Sequence, residues 1–369
     1  MSDFQLISEG LDGDRPILFF GAGQNAVTWI ENLAEYDYLP TALIDETPSK
    51  QGSRISGVPI VSAESALRNW GVDCLILSTI FVPKISFQSL KKKIMDFGFK
   101  NVSSISKLLR FFPDLSFYYF IGEAPGTTFQ QAKSKLLQRF VDPTSKEQAE
   151  AFFCAQIDLD PSSASSPRWQ DYFLSDWIEV PDQAVYVDAG AYRGDTIQKF
   201  LDSHPFVTSE ILAFEPDPQN YQALAAYVNA LNSSDKELIQ IKKAGVGRTN
   251  AKEKFHTLGN ASSHSSESGN LEVDTISLDG IFDPSKSYFI KFDVEGSEMD
   301  ALSGCKGIMR CGRSALAVSV YHRSTDCIDV SELLLDNFPD CQLFFRTLDE
   351  NGMDSMLYAV PNSWVKKSN

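Results

Sequence analysis

The sequence predicts an α/β protein with two open, mainly parallel sheets, and three observations carry that expectation. The chain has 369 residues, long for one compact core, so two domains are expected. Short apolar runs alternate with segments of helical period in both the first 110 residues and the last 190 or so, the pattern of parallel strands with crossover helices. Each region also opens with an apolar run followed by a glycine turn and a second apolar run that ends in an acid, which is how open sheets hold nucleosides.

In the first region, Pro16-Ile-Leu-Phe-Phe20 reads as a buried strand. Gly21-Ala-Gly-Gln-Asn-Ala26 turns into a helix carrying Val27, Ile30 and Leu33. Thr41 to Asp45 is a second strand, Gly57 to Val61 a short extended piece, Val72 to Ser78 a third core strand, and Ile85 to Phe97 a helix. From about Arg110 the pattern changes. Ala132 to Val141 and Ser145 to Ile157 read as helices, with Ser145 and Gln148 spaced as a capping box. Ser162 to Pro167 is a break, followed by the aromatic group Trp169, Tyr172, Phe173 and Trp177. The expected organisation is a Rossmann-like domain at 1–110, a helical connector at 111–182 and a second α/β domain at 183–369. Seven strands are expected there: Val185 to Ala189, Ile211 to Glu215, Glu237 to Gly245, Tyr288 to Asp293, Ala315 to Tyr321, Gln342 to Thr347 and Ser355 to Val360.

Composition excludes several classes. A formal charge of −16 leaves no basic stripe for nucleic acid. No apolar run approaches the ~20 residues of a membrane helix. The start, Met1-Ser-Asp-Phe-Gln5, is unlike a signal peptide, so cytoplasmic residence is expected. Six scattered cysteines, with no C-x-x-C pair, indicate neither a disulfide framework nor a zinc site.

The richest segment is Val185-Tyr-Val-Asp-Ala-Gly-Ala-Tyr-Arg-Gly-Asp-Thr196 with Ile211-Leu-Ala-Phe-Glu-Pro-Asp217. Its acid-x-Gly-x-x-x-Gly spacing fits a turn for S-adenosylmethionine better than one for a dinucleotide. Asp188, Gly190, Tyr192, Gly194, Thr196, Glu215 and Asp217 are the candidate cofactor-binding residues, with Glu215 at the next strand tip suited to ribose hydroxyls. Phe289-Ile-Lys-Phe-Asp-Val-Glu-Gly-Ser-Glu298 places three carboxylates after an apolar strand. Asp293 and His322, the latter at the tip of Val318 to Tyr321, are the candidate acid/base groups. Lys291, Glu295 and Glu298 are candidate acceptor contacts. Acids at a helix N-terminus are the alternative reading, weighed below a functional role for Asp293. Metal binding by Asp293 and Glu295 is left open, because Asp-x-Glu is a common pattern, and no metal ligand is assigned. Phe255 to Glu267 is a polar loop, either a lid over the acceptor or plainly solvated.

These residues resemble the FkbM family of methyltransferases. The resemblance rests on Val187 to Thr196, Phe214-Glu-Pro-Asp217, Val273 to Asp279, Ile290 to Glu298 and Ser319-Val-Tyr-His322, in the family's order, and covers roughly Tyr172 to Pro361. It implies a class I fold, S-adenosylmethionine as donor, methylation of a hydroxyl on a sugar, glycan or natural product, and by position cofactor roles for Asp188, Gly190 and Glu215. Where many members have Asn, this chain has Tyr192-Arg193. The first region is similar to Rossmann-type domains attached to sugar-modifying enzymes through Phe20 to Asn25, Leu43 to Glu46 and Gly52 to Ile60. Gly21, Gly23, Asn25 and Asp45 are its candidate nucleotide site, which leaves an NAD- or nucleotide-sugar-binding protein as the alternative function. The expected partner is a small-molecule or glycan acceptor, with oligomerisation open.

Overall fold

A computed structural model describes residues 1–164, 172–203, 210–256, 264–265 and 271–366. The chain divides into two compact units: 1–126 with 150–168 and 349–353, and 127–149 with 169–348 and 354–369. The stretch 111–182 is thus shared out between them.

The first unit holds six strands: β1 (Ile17–Phe20), β2 (Ala42–Ile44), β3 (Arg54–Ile55), β4 (Val58–Val61), β5 (Leu75–Ser78) and β6 (Asn101–Ser104). Their order is β3-β4-β2-β1-β5-β6, and every pair is parallel except β3/β4. β1, β2 and β5 are buried along their whole length, which is why they read as unbroken apolar runs. Leu18, Ile44 and Ile76 pack with Ile94 and Phe99 in the core. The sequence reading missed β6 and the helix Asp3–Leu11. Asn-Val-Ser-Ser has a single apolar residue, yet three of its four residues are buried. Its hydroxyls are satisfied internally, with Ser103 Oγ donating to Asp3 at 2.7 Å and Ser104 Oγ lying 2.6 Å from Ser106 Oγ.

The second unit holds β7 (Val185–Ala189), β8 (Glu210–Phe214), β9 (Ile239–Lys242), β10 (Gly245–Val246), β11 (Ala251–His256), β12 (His264–Ser265), β13 (Leu271–Ile276), β14 (Tyr288–Phe292), β15 (Ser314–Ser319), β16 (Cys341–Thr347) and β17 (Ser355–Pro361). Seven of them form the sheet β16-β17-β15-β14-β7-β8-β9, parallel from β9 through β15 and antiparallel on either side of β17. The mixed α/β architecture agrees with the expected class. Beneath the sheet Tyr172 and Phe173 join Tyr186, Phe200 and Phe289, with Tyr186 stacked on Phe200 at 4.2 Å. Trp169 lies outside the described residues.

The expected strand Glu237 to Gly245 is divided: Glu237 and Leu238 end the helix Ser233–Leu238, β9 spans Ile239–Lys242, and Gly245 belongs to β10 in a different sheet. Two further local expectations change. The helix starting at Pro143 is capped by Asp142, whose Oδ1 accepts from the Ser145 amide at 2.9 Å, so Ser145 and Gln148 do not form a capping box. Instead Ser145 Oγ accepts from Arg346 (2.7 Å) and the Phe345 amide (2.9 Å), and Gln148 accepts from the Thr347 amide (3.0 Å). These polar groups dock the helix on β16, whose Arg346 is fully buried. The second change lies in the region read as a polar loop. β11 pairs antiparallel with β13, and β10 and β12 complete a four-stranded sheet. The alternation in Leu271-Glu-Val-Asp-Thr-Ile276 carried that signal. Residues 257–263 and 266–270, and with them most of the candidate lid, lie outside the described residues. Among the described residues no helix is long and apolar enough to cross a membrane.

Candidate active site

The sheet order reverses direction at β7, whose neighbours are β8 and β14. Ligands of open α/β sheets sit at such a switch point, beyond the carboxyl ends of the strands. The β7 and β14 turns meet there. Asp293 donates its amide to Ala189 O at 3.0 Å, and Gly190 and Ala191 both donate to Phe214 O. Gly190 has φ 84°, and a Cβ on it would lie 1.9 Å from the Asp293 carbonyl oxygen. The sequence reading gave this glycine to close ligand approach; the protein's own backbone already requires it. At Gly194 (φ 94°) the obstacle is the Tyr227 ring, 2.4 Å away.

Asp188 and Lys291 are cross-strand partners on β7 and β14. Both side chains are buried, at 0% and 3% exposure, and their charges lie 3.0 Å apart. Lys291 also donates to Gly190 O at 2.7 Å and stands 3.6 Å from Asp293 Oδ2. Burial pushes the Asp188 carboxyl up to about 6, against the pull of Lys291. Burial favours a neutral Lys291, but the charges of Asp188 and Asp293 outweigh it and raise the ammonium's pKa. Lys291, a candidate acceptor contact in the sequence, is therefore committed to holding the two turns together.

Glu215 follows β8. Its two oxygens accept from the Tyr192 and Asp217 amides, each at 2.9 Å. Burial pushes this carboxyl up to about 7. Asp217 caps the helix Pro218–Ala230, accepting from Gln219 and Asn220 at 2.8 and 3.1 Å. Tyr192 sits at φ 47°, and the Arg193 guanidinium lies 5.0 Å from its ring. Thr196 is buried in the first turn of the helix Asp195–Ser203.

The loop after β14 gathers the remaining groups. His322 Nδ1 is 2.9 Å from Glu298 Oε1, and its Nε2 is 3.5 Å from both Asp293 Oδ1 and Glu295 Oε2. Glu298 is fully buried and also accepts from the Val294 and Gly296 amides at 3.1 and 3.3 Å. Asp293 and Glu295 keep 26% of their side-chain surface exposed. Glu295 has φ 53° and Gly296 φ 91°, so this turn and the Tyr192 turn both hold a non-glycine residue in the left-handed region. Burial works against a charged Asp293, but Lys291 and His322 hold its pKa below the ordinary carboxylate value; burial raises that of Glu295. His322 is raised well above the usual imidazole value because Glu298 and Glu295 outweigh its burial. The sequence reading missed Ser319, which donates to Asp293 Oδ1 at 2.8 Å, and Asp326, which accepts from the Arg323 amide at 2.8 Å. Ser319 sat inside a quoted motif, as the last residue of β15. Asp326 gave no signal beyond an acid at a helix start.

The first unit's turn is self-contained. Gly21 (φ 106°) faces Ile80 and Thr79, Gly23 precedes the helix Gln24–Ala34, and Asn25 donates to Thr79 O at 3.2 Å. Asp45 Oδ2 accepts from the Ala22 amide (3.1 Å) and from Lys50 (2.9 Å). Burial opposes its charge, but these bonds and those from Thr47 hold it down at about 2.

Asp188, Glu215 and Asp326, the last pushed up to about 7 by burial and by Glu298, set a pH dependence for the second unit. Acids with raised folded pKa values bind protons more readily folded than unfolded. Their stabilisation is complete below the unfolded values near 4 and is lost as pH rises through about 6 to 7. Raised His322 acts in the same direction, and lowered Asp293 acts only at more acid pH. Urea midpoints should therefore fall from pH 5 to pH 8, each group contributing on the order of 1–3 kcal/mol. Asp326→Asn, which keeps an acceptor for the Arg323 amide, should shrink the difference. A midpoint that climbs across this range would refute the assignment.

Strand order and the switch point define the second unit as an open α/β sheet of the kind that holds nucleosides. Within it, residues 188–337 match the family model described as the methyltransferase FkbM domain, and that match marks the chain as a methyltransferase enzyme. The fold is shared with the crystal structure of methyltransferase FkbM from Methylobacillus flagellatus KT: TM-score 0.73, 22% identity, 97% of this chain and 93% of that one covered. Smaller overlaps occur with a putative rRNA methylase from Clostridium thermocellum (TM-score 0.34, 12% identity, 55% of this chain and 98% of that one). Another is a putative methyltransferase from Streptococcus mutans in complex with SAH (TM-score 0.30, 12% identity, 53% and 95%). No curated protein matches the sequence.

Proposed function

We propose that the second unit transfers a methyl group from S-adenosylmethionine to a hydroxyl oxygen of a sugar, glycan or natural-product acceptor. The observation that carries this reading is the set of acids at the ends of three adjacent strands, Asp188, Glu215 and Asp293, gathered around one switch point. That set suits a donor bearing an ammonium and a sulfonium and no phosphate. Glu215 would hold the ribose hydroxyls, since each carboxylate oxygen keeps a lone pair beyond the one given to a backbone amide. Asp188, with Lys291, fixes the turn that carries Tyr192 and Thr196.

Bound there, S-adenosylmethionine supplies an activated methyl group for in-line displacement. The protein's contribution is chiefly positioning. Asp293, held ionised and oriented by Ser319 and Lys291, would accept the proton that the acceptor hydroxyl gives up. His322, kept cationic by Glu298 and Glu295, steadies Asp293 rather than acting as the base. For the first unit we propose an architectural or nucleotide-sugar docking role, because Lys50 already engages Asp45.

Incubation with methyl-tritiated S-adenosylmethionine and a pool of carbohydrate and small-molecule acceptors tests the reaction. Label should move to a hydroxyl of the pool, and Asp293→Asn should cut kcat by about 10²–10⁴ while S-adenosylhomocysteine affinity stays within a few-fold. Full activity in that variant would remove Asp293 from the reaction. Glu215→Gln is expected to weaken S-adenosylhomocysteine roughly 10- to 100-fold by calorimetry, the worth of one or two charge-assisted hydrogen bonds; unchanged affinity would take Glu215 out of the donor site.

A further inference from the structure

We infer that Asp293, Glu295 and His322 form a site for one divalent cation of the Mn²⁺ type, with open positions for oxygen ligands. One Asp oxygen, one Glu oxygen and one His nitrogen lie within 4.8 Å of one another. His322 Nε2 is 3.5 Å from each carboxylate oxygen. A cation about 2.1 Å from each ligand spaces neighbouring ligand atoms about 3.0–3.5 Å apart. The carboxylates alone would carry no such assignment, since acids commonly gather at strand ends.

His322 supplies the independent observation. Its side chain is only 6% exposed, and its Nε2 is buried without a hydrogen bond while pointing between the two carboxylates. At 3.5 Å neither oxygen is within ordinary N–H···O range. The other ring nitrogen is committed to Glu298, which is itself fixed by two backbone amides. A bound cation takes the place of the proton on Nε2, while Nδ1 keeps its hydrogen toward Glu298. This is the arrangement by which an outer carboxylate orients a histidine ligand on a metal. Ser319 in turn orients Asp293 through Oδ1, and Lys291 takes the Oδ2 side, leaving a second Oδ1 lone pair toward the imidazole. Two hard oxygens and one imidazole suit Mn²⁺ better than a thiolate-seeking ion. The left-handed Glu295-Gly296 turn brings the second carboxylate in. The cation's use, holding an acceptor oxygen beside the methyl donor, rests on the function proposed above; its binding does not.

The test is a titration of the metal-stripped full chain with MnCl₂ at pH 7.5, read by loss of the free Mn²⁺ electron paramagnetic resonance signal. S-adenosylhomocysteine calorimetry is run on the same sample. One saturable ion per chain is expected. Asp293→Asn, Glu295→Gln and His322→Gln should each weaken it at least ten-fold, and Glu298→Gln roughly 10- to 100-fold through the orientation of His322. Absence of saturable binding at millimolar Mn²⁺, or variants that bind like the wild type, would overturn the site. Loss of Mn²⁺ binding with S-adenosylhomocysteine binding intact sinks the cation site alone. Mn²⁺ binding without S-adenosylhomocysteine binding keeps the site and sinks the proposed function.

Discussion

Gly190→Ala is expected to destabilise the second unit by about 3 kcal/mol or more. The added Cβ would lie 1.9 Å from the Asp293 carbonyl oxygen and 2.9 Å from its carbon, both backbone atoms. They cannot swing aside, because the Asp293 amide is bonded to Ala189 and β14 is in register with β7. The residue would also have to hold φ 84°. Gly194→Ala meets a Tyr227 ring instead, a side chain that can partly yield, and should cost less. Gly23→Ala, with nothing within 4 Å, should cost no more than about 1 kcal/mol. Urea midpoints of the three variants check the ranking. If Gly190→Ala unfolds at the wild-type midpoint, the two turns do not meet as described.

Lys291→Met carries the second large effect, a loss of about 3–5 kcal/mol, because it leaves the Asp188 carboxylate buried without its counter-charge. It also strips the donor from Gly190 O. The loss should shrink at pH 5, where Asp188, already pushed up to about 6, takes a proton and no longer needs a partner. Asp188→Asn added to Lys291→Met should recover part of the stability at neutral pH. Urea unfolding of the wild type, both single variants and the double variant measures the coupling. A single-variant loss below about 1 kcal/mol would mean the pair is solvated and peripheral.

Much of the fold was legible because its central strands are buried on both faces and therefore read as nearly unbroken apolar runs, as in Ile17-Leu-Phe-Phe20 and Leu75-Ile-Leu77. What escaped were elements held by polar groups: β6, whose serines pair internally, and the helix from Pro143, whose Ser145 and Gln148 serve β16 rather than their own N-terminus. The same blindness affects the site. Spacing put Asp293, Glu295, Glu298 and His322 at one sheet edge. Only the folded chain reveals that Glu298 turns inward to His322, that Lys291 is buried against Asp188, and that Asp217 is a helix cap. A lysine inside an apolar strand was the available clue, since a buried ammonium requires a counter-charge on a neighbouring strand. The partner's identity depends on register, which the sequence of one strand does not contain.

Calorimetric titration of the full chain with S-adenosylhomocysteine tests the central claim most directly. The arrangement of Asp188, Glu215 and Asp293 predicts one saturable site, weakened by Glu215→Gln and indifferent to substitution of Asp45 in the first unit. No heat of binding for S-adenosylhomocysteine or S-adenosylmethionine, or binding that is lost with Asp45→Ala and unaffected by Glu215→Gln, would contradict it.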